Sequence, residues 1–267
     1  IFRMGGVNIK RLIQYAEGNP EGLRFVAEGD TAAFLIGVYE EFAPLKEAMV
    51  RGELPTTRQG GSFTTTPRPG EVQANVTRVL KVDPTDAKDI TRAETEGVKQ
   101  VVAYLNFFKK YIPGFESCYL NGIASRIGLF ESRRTIGEYV LTEKDVRSGM
   151  RFSDTVALAG RAIDDHDPTS PRTSLEPLKP GTAYGIPYRC LVPKKIDSLL
   201  MAGRCISVDS RALTSMRAQP FCMAIGQAAG TAAAICAKEN VMPRHLNVRM
   251  LQKTLLEEGV FLGDIRL

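Results

Sequence analysis

The stretch from Pro220 to Glu239 constrains this chain more than any other. It reads as one long helix, opened by a proline that has no amide hydrogen to forfeit at a first helical position. It is rich in alanine and glycine and apolar almost all round, and a helix with no polar side must be surrounded. Its length invites a membrane span, but Leu, Ile, Val and Phe are sparse and Gln227 lies mid-run. The expectation is therefore a buried helix packed closely on a sheet or a ligand, with no membrane. Upstream, Leu199 to Ala202 is an unalternated apolar run, the pattern of a strand covered on both faces. Gly203 ends it, and a long polar connection, Arg204 to Gln219, leads into the helix. In open α/β sheets ligands sit at the carboxyl ends of strands, where helix N-termini face the crevice. Such a terminus presents unpaired amides and a partial positive charge, suited to an electron-rich group. With Pro220 lacking a donor, the usable amides are Phe221, Cys222 and Met223. Gly226, Ala228, Ala229 and Gly230 keep the helix surface thin enough for a flat cofactor or a strand to approach. A plain buried helix with small-residue packing satisfies the same pattern.

The remainder reads as mixed helix and strand. Asn8 caps a helix with Ile9, Leu12, Ile13 and Ala16 on its apolar face. Asp30 or Thr31 opens a second, with Phe34, Leu35, Val38 and Phe42 at helical spacing, interrupted at Pro44 and stopping at Gly52. Arg58 to Gly70 is turn-rich, and Val72 to Val82 alternates as a strand with one buried face. Arg78 falls on the buried parity and needs a partner or a cleft. Thr91 to Glu94 is a capping box for a helix carrying Val98, Val101, Val102, Leu105 and Phe108, ending at Pro113-Gly114. Thr142 caps a short helix. Asp164 to Pro180 is polar and proline-rich, a surface excursion, and Ile186 to Val192 is a strand. Asn247 caps the last helix and Gly259 ends it.

Composition narrows the function classes. The 267 residues are 43% hydrophobic and 24% charged, which excludes general disorder. A net charge of +5 spread without a basic block, no tryptophan and 7% aromatics argue against nucleic-acid binding. The chain starts at Ile1, so either a leading segment was removed or it belongs to a longer polypeptide; no signal peptide is visible. Five cysteines form no CxxC pair and have no histidine at metal spacing, so neither a disulfide framework nor a metal site is expected. They read as small buried hydrophobes in a reducing compartment, the cytoplasm. His166 stands among Asp164, Asp165 and Asp167, but consecutive side chains diverge and cannot converge on a metal. Those carboxylates would raise its pKa and suit it to general-base work; the alternative is a solvated loop histidine. Arg133 and Arg134 read as ion-pair residues, Asn75 as ambiguous, and His245 as surface. Cys222 at a helix N-terminus would have a lowered pKa, with a packing role.

Several segments together resemble a known family. They are 184–193 (YGIPYRCLVP), 199–207 (LLMAGRCIS), 215–234 (SMRAQPFCMAIGQAAGTAAA), 2–8 (FRMGGVN), 68–78 (RPGEVQANVTR), 131–142 (ESRRTIGEYVLT) and 164–168 (DDHDP). These resemble FAD-dependent oxidoreductases, a group distantly related to the succinate dehydrogenase and fumarate reductase flavoproteins. The resemblance implies an α/β, mixed α+β chain: a substrate or cap region over residues 1–180 and the C-terminal part of a Rossmann-like FAD domain over residues 181–267. It implies FAD as cofactor, with Gly203 and Arg204 near its ribityl and pyrophosphate part. Pro220, Phe221, Cys222 and Met223 would lie near the flavin N1/C2=O edge, where amides favour the reduced form. It implies Arg217 as the group that binds and polarises a small substrate's oxygen, with hydride passing to or from flavin N5, and His166 as the proton-transfer group. Two departures stand out. The GxGxxG that holds the ADP part of FAD is absent from the sequence, which suggests that an N-terminal FAD module is missing, and Phe130 stands where a basic residue is expected. The rival expectations are a non-catalytic fragment or partner subunit that does not bind FAD alone, and a truncated product that forms a homo-oligomer through exposed apolar surface.

Overall fold

The computed structural model describes residues 1–27, 34–38, 42–55, 58 and 60–263, with backbone only at 24–27 and 34–38. The fold is mixed α and β, in two compact units: residues 1–129 with 167–172, and residues 130–166 with 173–267. Residues 130–166 and 173–180, expected in the first region, thus pack with the C-terminal stretch.

The first unit is a six-stranded antiparallel sheet backed by helices. Its strands are β1 (Phe2–Gly5), β2 (Leu23–Ala27), β3 (Phe34–Val38), β4 (Gly61–Thr65), β5 (Val72–Asn75) and β6 (Tyr119–Ile123), in the order β2-β3-β4-β5-β1-β6. Alternation sorts the faces: Phe2, Met4, Phe63, Val72 and Ala74 are buried, while Arg3, Thr64 and Gln73 take the other parity. The helices are α1 (Ile9–Glu17), α2 (Ala43–Val50) and α3 (Ala87–Tyr111). Asn8 caps α1 as expected, its side chain accepting from the Arg11 amide. At the centre Phe108 packs edge-on to Phe63 at 4.9 Å and stacks on Phe115 at 5.2 Å. Arg78 has the partners its parity demanded: its guanidinium donates to the carbonyls of Asp167, Pro171 and Arg172.

Three expectations for this unit fail. The segment around Phe34–Val38 is a strand between β2 and β4, not a helix; its apolar run is short and includes the β-branched Ile36 and Val38, so both periods fit it. Asp30 and Thr31 lie outside the described residues. The alternating strand ends at Asn75 rather than running on to Val82. Helix α3 starts at Ala87 under the Asp86 cap, and Thr91 lies inside it, its hydroxyl donating back to the Ala87 carbonyl at 2.9 Å. The buried face of α3 holds Val101, Tyr104, Phe107 and Phe108, which leaves Val98 46% and Val102 49% exposed.

In the second unit, β7 (Thr155–Ala159) pairs with β10 (Tyr184–Pro187), and β8 (Ile163–His166) with β9 (Thr173–Glu176), both antiparallel. Four helices accompany them: α4 (Glu143–Ser148), α5 (Ser210–Met216), α6 (Gln219–Glu239) and α7 (Val248–Glu257). Thr142 and Asp145 form the capping box of α4, and Asn247 caps α7, both as expected. Helix α6 is long and apolar enough to cross a membrane by composition, but Ile225, Ala228, Ala229, Ala232 and Cys236 wall the core of this unit, against β7 and α7. Elsewhere on the helix, a Cβ added at Gly226 or Gly230 would meet no described atom within 4 Å. Tyr184 is fully buried and donates to Ser215 at 2.8 Å; burial pushes its hydroxyl up to about 12.

Here too the sequence reading needs correction. Leu199–Ala202 is not a strand: Met201 N–H to the Leu191 carbonyl is its one backbone link of this kind among the described residues, and Leu199 is 40% exposed. A strand exists only by pairing, and the described ladders are antiparallel pairs lying elsewhere, not a Rossmann-like parallel sheet. Strand β10 stops at Pro187 and gives way to a 3-10 turn over Tyr188–Cys190 rather than reaching Val192, since proline cannot extend a ladder as a donor. The polar connection after Gly203 contains helix α5, capped by Asp209. The surface excursion after Asp164 is largely the β8–β9 hairpin.

The two sides of α3 predict different costs. Phe108→Ala should lower the urea-unfolding free energy by about 3–5 kcal/mol through the cavity it leaves, and Val98→Ala by less than about 0.5 kcal/mol. Equal losses would mean that α3 is rotated from the orientation described.

Candidate functional site

Two of the sequence-predicted residues, Arg217 and His166, come together in the second unit on the ring of Phe130. Helix α5 ends at Met216 and α6 begins at Gln219, so Arg217 occupies the two-residue joint between them. Its side chain is only 8% exposed. The guanidinium lies over the Phe130 ring, 3.7 Å from the centroid, a cation–π contact that gains strength out of water. Its Nη2 donates to the Asp164 carbonyl at 3.0 Å and lies 3.5 Å from the Asp164 carboxylate. Its Nε is buried and has no hydrogen-bond partner among the described residues. Burial pulls the Arg217 pKa below its usual value, against the opposing pull of Asp164.

Strand β8 brings the remaining groups. Asp164 and His166 are two residues apart and so share a face. His166 Nε2 is 3.2 Å from Asp164 Oδ1, and Arg161 Nη2 donates to Asp164 Oδ2 at 2.8 Å. The His166 hydrogen bond first, and then the Arg161 charge, hold the Asp164 carboxyl down to about 2. The His166 ring also packs on Phe130, with centroids 5.1 Å apart. Asp165, on the opposite parity, binds Arg211 of α5 at 2.7 Å, and Arg211 also reaches Glu176 of β9 at 2.6 Å. Arg147 and Arg211 hold Glu176 down to about 2. The hairpin is thereby laced to α5 on one side while it presents Asp164 and His166 on the other.

The remaining predicted residues lie in the turn after Ala202 and at the start of α6. Gly203 begins a 3-10 turn, Gly203–Cys205, with φ +73°, a left-handed conformation that suits glycine. Arg204 in that turn donates to the Phe130 carbonyl at 3.0 Å, and the turn packs against α6. Pro220 is the second residue of α6, with Ala218 as N-cap. The Cys222 amide already donates to the Ala218 carbonyl at 3.1 Å, so the amides left open by helix geometry are Ala218, Gln219 and Phe221. Of the three expected donors only Phe221 keeps that role. The Cys222 thiol is raised by burial, which outweighs the nearby Arg204 charge, rather than lowered as expected. Met223 is 74% exposed. The site lies within one unit, and sequence reasoning missed two members of it. Asp164 was read as loop, though its i,i+2 spacing from His166 fits a strand. Phe130 was noted only as a departure. Arg134 pairs with Glu131 at 2.7 Å, the structural role expected of it.

The sequence model of a family described as FAD dependent oxidoreductase matches residues 1–255. No curated protein and no solved structure matches the chain.

The Asp164 geometry predicts a pH dependence. A carboxyl depressed from 3.8 to about 2 stabilises the fold fully above its unfolded pKa and loses that contribution as the pH falls from about 4 to about 2. The amount is roughly 2 kcal/mol. Asp164→Asn should be less stable than the parent at pH 7, by a gap that shrinks to roughly a third at pH 2.5, measured by denaturant unfolding. A gap independent of pH would remove the ionic role.

Proposed function

We propose, because the chain belongs to the FAD dependent oxidoreductase family, that it works in a flavin-dependent oxidoreductase acting on a small molecule, with Arg217 and His166 on the substrate. The observation that carries this reading is the buried, unpartnered Nε of Arg217. A buried donor without an acceptor costs about 1–3 kcal/mol, and we infer that a substrate oxygen, admitted by a small side-chain movement, is the acceptor it lacks. Phe130 beneath the guanidinium and the Asp164 carbonyl at its edge fix its plane, so the donor is aimed before substrate arrives. His166 Nε2 faces Asp164 Oδ1, which engages that nitrogen and leaves Nδ1 to accept or release a proton. Asp164 positions both groups.

The residues present fit the flavin end of FAD. The open amides at the start of α6 offer donors to an electron-rich edge, and no described atom crowds Gly226 or Gly230. Gly203 and Arg204 with Pro220, Phe221, Cys222 and Met223 would hold the cofactor, Cys222 and Met223 through packing rather than through their amides. When bound, FAD supplies a two-electron acceptor or donor. The sequence contains no GxGxxG, so we infer that the ADP end is held by a dinucleotide module outside this chain. Five free cysteines support a cytoplasmic, reducing setting.

The missing fingerprint also favours a second reading, a partner subunit that binds no FAD. The natural polypeptide that carries this chain, purified and supplied with FAD, decides between them. The first reading expects stoichiometric flavin absorbance, and expects Arg217→Gln to keep that absorbance while slowing substrate-linked flavin turnover by about 100-fold. A colourless, stably folded protein that takes up no FAD would establish the second.

A further inference from the structure

The first unit carries a separate polar concavity on the open face of its sheet. Register places Arg3, Gln73 and Thr64 in one row across β1, β5 and β4. The β4–β5 connection folds back on itself, with the Thr66 amide donating to the Glu71 carbonyl and the Glu71 amide to the Arg68 carbonyl, each at 3.2 Å. That brings Thr66, Arg68 and Glu71 to the same row. Together these residues line a hollow of about 410 Å³.

The hollow has an unusual charge arrangement. Glu71 is only 3% exposed, although it lies on the polar face. Thr66 Oγ1 donates to one of its oxygens at 2.7 Å and Asn121 Nδ2 donates to the other. The two arginines stand further off, Arg3 at 3.9 Å and Arg68 at 4.0 Å, beyond hydrogen-bond range. Glu71 therefore attracts both guanidiniums by charge, and among the described residues no acceptor engages their N–H groups. Two positive charges against one negative leave a surplus of one. The unused donors are planar forks, the geometry that matches a carboxylate two bonds at a time.

We propose that this hollow binds the carboxylate group of a small organic acid, with Arg3 and Arg68 as its forks and Thr64, Thr66 and Gln73 as neutral hydrogen-bonding neighbours. Glu71 sets the charge of the hollow so that one further negative charge completes it. The proposal does not depend on the flavin reading, because binding can be measured without flavin.

The test titrates the full chain, free of flavin, with acetate and separately with inorganic phosphate, following the backbone amide signals of Thr64, Thr66 and Gln73 by NMR. Acetate should shift them saturably. Arg3→Gln and Arg68→Gln, at positions 46% and 71% exposed, should each weaken binding about tenfold without unfolding the chain. Arg68→Lys should recover only part of the loss, because it restores charge without the fork. Glu71→Gln, checked for an unchanged unfolding midpoint, should tighten binding several-fold by removing the competing charge. Phosphate binding tenfold tighter than acetate would overturn the carboxylate assignment. An absence of saturable shifts, or shifts indifferent to both arginine substitutions, would overturn the site itself.

Discussion

A guanidinium withdrawn from water governs the second unit. Arg217 keeps its charge at 8% exposure only because several elements face it at once: the Phe130 ring, the carbonyl and carboxylate of Asp164, and the joint between α5 and α6. A buried charge without such company is expelled or neutralised. The β8–β9 hairpin must therefore sit where it does, and the Arg211 bridges to Asp165 and Glu176 keep it there.

Much of this was legible in the sequence. Local signals served well where one residue decides the outcome: Asn8, Thr142 and Asn247 are caps because a side-chain oxygen reaches a free amide within three residues. That residues 219–239 form one long helix was legible from composition, but the expectation that it is buried holds for one face only; Arg78 was legible from its parity. Arg217 and His166 were picked out by resemblance, and the structure brings them to the same ring, Phe130.

What failed did so for identifiable reasons. Leu199–Ala202 has the composition of a covered strand, but pairing is a property of neighbours and no four-residue pattern contains it. Phe34–Val38 is too short to distinguish a period of two from one of 3.6. Asp164 was hidden because a polar, proline-rich composition speaks for a loop, while a hairpin can be built from it when its charges are paired by arginines from a distant helix. Phe130 was hidden for a related reason, since its value lies in the cation above it. The Arg3, Arg68 and Glu71 group could not be read at all, because it exists only through cross-strand register.

The two uncrowded glycines of α6 have an energetic consequence of their own. Glycine inside a helix costs about 1 kcal/mol relative to alanine, and Gly226 and Gly230 incur that cost twice in one 21-residue helix. No described residue crowds either position, so packing among the described residues does not offset it. Natural sequences keep such a penalty when something outside the fold selects for it, and on thermodynamic grounds alone these are the two places where the second unit could be made sturdier by a single methyl group.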